Sequence, residues 1–158
     1  MPRQSVYLET SAISYATSRP SRDLIMAGRQ QITRDWFETA ASAFDMYVSQ
    51  FVVREVGTGD PVAARARLAL VEGGPLLAVT RNVINFATTL QESGAVPANA
   101  EEDAFHIAVA AVHGIDYLLT WNFRHIANAA ARQLIDESCR GAGLAPIIIC
   151  TPEELMDA

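Results

Sequence analysis

The chain has 158 residues, 50% of them hydrophobic and 19% charged, which suits one domain with its own core and excludes a disordered chain. Eighteen acids against twelve bases give a net charge of −6, and every base is an arginine, so a general cationic coat for nucleic acid is excluded and anion recognition must be local and guanidinium-based. No apolar run approaches the roughly 18 residues of a membrane span, MPRQSVYLETS reaches Glu9 before a leader-like stretch can form, and Cys139 and Cys150 are too few for a disulfide framework. The expectation is a single domain over 1–158, cytoplasmic, not bound to membrane, with two reduced thiols.

Along the chain, short runs of β-formers alternate with longer helical stretches. Ser5–Glu9 (SVYLE) reads as the first strand, with helical sequence starting directly after it. Glu9 closes that strand beside Thr10 and Ser11; either hydroxyl can cap the coming helix, which leaves the acid free for a site. Ser21–Ala43 reads as a helix and contains Arg22, Arg29 and Arg34, with Arg19 just before it. Asp23, Asp35 and Glu38 salt the same stretch, so a solvated face is the plain reading of these arginines. Asp45–Ser49 is the second strand. In the short helix after it, Val52, Val53 and Val56 supply the buried side, and Glu55, read alone, is a surface acid.

Pro61–Glu72 reads as a helix, Leu76–Val79 as the third strand and Arg81–Ser93 as another helix. Ala100–His113 follows, with Asn99 and Glu102 spaced as a capping box and acids in the first turn where the helix dipole favours them. Asp103 lies at the border of the apolar stripe Ala104, Ile107, Ala108 and Ala111, with His106 one turn below it. A carboxylate so placed needs a cation or a donor to answer it. Asp116–Thr120 is the fourth strand, Asn122 a candidate cap for a helix over Asn122–Arg140, and Pro146–Cys150 the last strand. His106 and His125 read as structural residues.

Strand–helix–strand repeated with continuous apolar strands predicts an α/β domain: a three-layer α/β/α architecture whose mainly parallel sheet has about five strands and helices on both faces. Ligands of such folds lie beyond the carboxyl ends of the strands. Glu9, Glu55, Asp103 and Asn122 all fall at or just after that edge. Three carboxylates gathered there repel one another unless a divalent cation neutralises them, and an all-oxygen set favours Mg²⁺ or Mn²⁺ over zinc.

Tyr7–Ser14 (YLETSAIS), Glu102–Ala110 (EDAFHIAVA), Asp116–Asn128 (DYLLTWNFRHIAN) and, less distinctively, Val48–Val56 (VSQFVVREV) carry a likeness. In these stretches, whose order and spacing span nearly the whole chain, the sequence resembles the PIN-domain family, in particular the VapC-type toxins of bacterial toxin–antitoxin pairs. The resemblance implies a PIN-like fold and a Mg²⁺- or Mn²⁺-dependent endoribonuclease. It assigns Glu9, Glu55 and Asp103 as catalytic acids and metal ligands, Asn122 as the residue at the fourth acidic position, and Ser11 and Thr120 as the hydroxyls that support the ligands. It also implies an RNA substrate, a small antitoxin protein as partner, and a homodimer. Two residues depart from the pattern: Glu9 is a methylene longer than the usual aspartate, and Asn122 lacks the charge of the fourth acid. The second departure opens an alternative, a catalytically weak or inactive PIN-like module that binds RNA or a partner without cutting. A nucleotide-binding domain of another kind lacks support, since no glycine-rich loop follows the first strand.

Overall fold

The computed structural model describes residues 2–157. Among them, five strands form one sheet: β1 (Gln4–Leu8), β2 (Phe44–Ser49), β3 (Leu76–Leu77), β4 (Tyr117–Leu119) and β5 (Ile148–Cys150), in the order β3-β2-β1-β4-β5. Every pairing is parallel. The connecting helices are α1 (Thr10–Thr17), α2 (Leu24–Thr39), α3 (Gln50–Val56), α4 (Pro61–Val71), α5 (Arg81–Glu92), α6 (Glu101–Val112) and α7 (Arg132–Gly141). The chain winds from β1 to β2 and β3 in one direction, then crosses back to β4 and β5 on the other side. Parallel crossovers keep a single hand, so this reversal puts α1–α4 on one face and α5–α7 on the other. The expected three-layer α/β/α architecture is the one adopted. No helix among the described residues is long and apolar enough to cross a membrane.

Central position explains the strand sequences. Val6, Tyr7 and Leu8 of β1 are all buried, as are Leu118 and Leu119 of β4, because helices cover both faces. Above them α5 buries Val83, Phe86, Ala87 and Leu90, the i, i+3, i+4, i+7 stripe of an amphipathic helix, and packs on α6. Burying a side chain such as Leu90 or Ile107 contributes about 1.5–3 kcal/mol. The end of α6 is set by Gly114, whose φ of +66° lets its N–H reach Ala111 O (3.1 Å) while Ile115 N–H reaches Ala110 O (3.0 Å). That closure aims the chain into β4. The sheet margins are thinner: β3 has two residues, α4 buries Ala64 alone among its residues, and Val62, Leu68, Leu70 and Leu76 face solvent.

Several local expectations are corrected. Ser21–Ala43 divides into α2 and a 3₁₀ turn over Ala41–Ala43, and the third strand stops at Leu77 rather than Val79. The capping box at Asn99 and Glu102 does not form: Ala100 is the N-cap of α6 and no side chain caps it. Thr10 and Ser11 do not cap α1 either, whose N-cap is Glu9. The helix expected over Asn122–Arg140 begins only at Arg132. In the turns before it, Asn122 Oδ1 accepts from His125 N–H (3.0 Å), and Asn128 Oδ1 accepts from Ala130 and Ala131 N–H (2.9 and 3.2 Å). These side chains replace the main-chain acceptors a helix would have used.

Candidate active site

The sheet reverses its winding direction between β1 and β4, so the carboxyl ends of these two strands flank the crevice where ligands of such sheets bind. Leu8 pairs with Leu119, which sets Glu9 beside Thr120; Glu9 N–H continues the ladder to Leu119 O (3.1 Å). Glu9 is 5% exposed, and two hydroxyls donate to its Oε1: Ser11 Oγ at 2.5 Å and Thr120 Oγ1 at 2.6 Å. Their proton directions are fixed, because each hydroxyl oxygen also accepts a backbone N–H, Trp121 N–H at Ser11 (2.8 Å) and Asn122 N–H at Thr120 (2.9 Å). Glu9 is thus oriented by neutral donors, and its Oε2 makes no hydrogen bond among the described residues.

Glu55, on α3, is oriented differently. Thr10 Oγ1 donates to its Oε1 (2.8 Å), so consecutive residues at the start of α1 bind the two glutamates. The same Oε1 lies 2.5 Å from Nε2 of His106, a fully buried residue of α6. Nδ1 of His106 bonds Tyr7 Oη (2.7 Å), which bonds Ser49 Oγ (2.8 Å). Burial pulls the His106 pKa down, but the bond to Glu55 and the charges of Glu9, Glu55 and Asp103 outweigh it and hold the value above 6.5. Burial likewise pushes Glu55 up, and the hydrogen bond and charge of His106, with the Thr10 hydroxyl, bring it below 4.5. Both shifts favour the charged forms, imidazolium and carboxylate. Burial raises the Tyr7 phenol, which stays neutral. Glu102 is raised too, by partial burial and then by repulsion from Glu55, although Arg54 lies 3.6 Å from it.

Asp103 is held on both oxygens: Asn122 Nδ2 donates to Oδ1 (3.1 Å), and His125 Nδ1 lies 2.8 Å from Oδ2. Asn122 is thus both a turn cap and a donor into the site. Hydrogen bonds tie Glu55 to Thr10 and the next residue, Ser11, to Glu9, and others run from Glu9 through Thr120 and Asn122 to Asp103, so that one array links these groups. It brings together every site residue expected from sequence. His106, His125, Thr10 and Glu102 read from sequence as structural or capping residues, yet they bond or face these acids. The signal for His106 was its position one turn from Asp103; nothing local pointed to its bond with Glu55.

Among the described residues, no three His, Cys, Asp or Glu side chains form a ready-made ligand set for one metal ion. The donor chemistry nonetheless fits a hard divalent cation. Glu9 presents an unbonded carboxylate oxygen, while the Glu55 carboxylate also meets the side chain of Glu102; both glutamates are buried or half-buried and fixed in direction, and Mg²⁺ commonly takes one or two carboxylates and completes its shell with water. A hollow of about 300 Å³, lined by Asn99, Glu101, Glu102, Asp103 and His125, opens beside the array. Larger hollows of about 470 and 620 Å³ lie near Gly73 and Gly74, along β2 and α4, and contain none of the site acids. In comparisons with known proteins, no family model matches the chain and no curated sequence is significantly similar to it.

Proposed function

We propose that this chain is a Mg²⁺- or Mn²⁺-dependent endoribonuclease of the PIN-like kind. The observation that carries the reading is the pair of glutamates near the winding reversal of the sheet, each fixed in direction by donors on one oxygen, with Glu9 Oε2 left free toward the crevice. Glu9 and Glu55 would hold the ion with Asp103 beside them; when bound, such an ion neutralises charge on phosphoryl oxygens and acidifies water. Ser11 and Thr120 keep Glu9 pointed into the crevice. His106 and Thr10 keep Glu55 ionised, and so favour its use as a ligand over its use as a proton acceptor. Asn122 and His125 hold Asp103 at the hollow's wall. The resemblance to VapC-type toxins adds a small antitoxin partner, a homodimer and a cytoplasmic setting to the proposal.

A second reading has a specific observation behind it. His106, His125 and the Asn122 amide already answer the acids from within the protein, as suits a module that holds RNA or a partner without cutting. Calorimetric Mn²⁺ titration of wild type and Glu9→Gln, with EDTA-controlled cleavage of single-stranded RNA, separates the two. The nuclease reading expects binding and cleavage in wild type and loss of both in the variant. Equal Mn²⁺ binding by both proteins would remove the metal site, and RNA binding with no divalent-dependent cleavage would select the binding module.

A further inference from the structure

Next to the acids along the chain lies a group that the reading above does not use. Trp121 and Phe123 alternate with Thr120 and Asn122, whose side chains bond Glu9 and Asp103. The guanidinium of Arg29, on α2, lies 5.6 Å from the Trp121 ring centre and 4.9 Å from that of Phe123. Trp121 is buried and fixed: its Nε1 donates to Thr33 Oγ1 (2.7 Å), and Tyr15 stacks on it at 5.8 Å and 10°. Thr33 in turn donates to the backbone carbonyl of Arg29 (2.7 Å), tying the arginine's own helix to the indole. Phe123 is 42% exposed.

What Arg29 lacks is an anion. Among the described residues its guanidinium enters no ion pair and makes no hydrogen bond, although the protein carries a net charge of −6. Some arginines are used internally, as Arg3 is on Asp45, Arg54 on Glu102 and Arg67 on the carbonyls of Val56 and Thr58; of those without such a partner, Arg29 is distinguished by its seat on two aromatic rings. A guanidinium seated on aromatic faces keeps its in-plane N–H donors free and is restrained in direction, which suits bidentate phosphate binding.

We propose that Arg29 binds a phosphate of single-stranded RNA beside the acid cluster, and that the exposed face of Phe123 stacks the adjoining base. This rests on the ribonuclease reading and supplies the anion contact that the acidic crevice cannot. Stacking on an aromatic face tolerates any base, so the subsite sets the position of the strand rather than its sequence. Arg19 and Arg22, by contrast, are exposed in the loop before α2 and have no aromatic seat.

The test is fluorescence anisotropy of a labelled mixed-sequence RNA strand, with Ca²⁺ in place of Mg²⁺ and across a salt series. Variants are Arg29→Met, which keeps the aliphatic stem over the rings, Arg29→Lys and Phe123→Ala, each with a thermal melt. The expected result for Arg29→Met is roughly tenfold weaker binding and a salt slope shallower by about 0.7, with the melt unchanged. Arg29→Lys should recover the slope but only part of the affinity, and Phe123→Ala should weaken binding about tenfold with the slope intact. Wild-type affinity and slope in Arg29→Met would overturn the subsite while leaving the ribonuclease reading in place. Loss of polyglutamate binding in that variant with RNA binding intact would assign the site to an acidic protein segment and overturn it equally. A wild type that neither binds nor cuts RNA would remove both proposals.

Discussion

Glu9 and Glu55 belong to one site and are held by different chemistry. Around Glu9, at the β1–β4 seam, both donors are hydroxyls locked by backbone N–H groups, so the full negative charge is left for whatever enters the crevice. Around Glu55, between α3 and α6, the donor is a buried imidazole whose charged form the acid favours, itself anchored by Tyr7 and Ser49. Neutral donors orient a ligand without spending its charge; a cationic donor secures its ionisation but shares it. The contrast teaches that Glu9 is the stronger attractor for a cation and that Glu55 is the more important acid for the stability of the fold.

The widest break in that comparison comes from removing the His106 ring. His106→Leu leaves Glu55 and the Tyr7 hydroxyl without their partner and should cost about 3 kcal/mol in urea unfolding; a cost no larger than that of losing a Glu9 hydroxyl would erase the distinction. The same pair sets a pH window. The His106 pKa is raised, so its contribution is full below 6.5 and fades as pH climbs through its native value; the Glu55 pKa is lowered, so its contribution is full above 4.5 and fades as pH drops through its native value. In EDTA, the melting-temperature gap between wild type and Glu55→Gln should therefore be widest between 4.5 and 6.5, and a gap that stays flat with pH would contradict the ion pair.

On the Glu9 side, Thr120→Val removes the bond to Glu9 and strands Asn122 N–H, for a loss of about 2 kcal/mol and roughly tenfold in Mn²⁺ affinity, both read from melts and calorimetry of one preparation. The smallest change is Asn122→Asp. It keeps the cap on His125 N–H but turns a donor to Asp103 into a like charge, so the metal-free protein should lose about 1 kcal/mol while Mn²⁺ binds roughly tenfold more tightly. Unchanged affinity would place Asn122 outside the metal's reach.

How far the sequence carried this picture depended on the range of each interaction. Val6–Leu8 and Leu118–Leu119 read as strands because burial on both faces leaves a continuous apolar run, a signal contained within each segment. Glu9 stood out for the same local reason, an acid closing such a run. The bond between His106 and Glu55 spans 51 residues and leaves no local pattern, so His106 read as a core histidine and Glu55 as a surface acid. Asn122 was legible as a cap, but its amide reaches Asp103 across 19 residues. The late start of α7 was hidden because Asn122 and Asn128, good helix-capping residues, take up main-chain donors in turns instead.

The brevity of β3 and β5 has its own consequence. They are the two rims of the sheet, two and three residues long, and each carries an exposed aliphatic side chain, Leu76 or Ile148. A long rim of that character would be a template on which another chain could add a strand and begin to aggregate. Cut to so few residues, each rim offers an incoming strand only a few main-chain partners, too short a ladder to hold it. The fold thus guards against fibrous self-association through strand length, although every lysine that might otherwise have served as an edge gatekeeper is missing from the sequence.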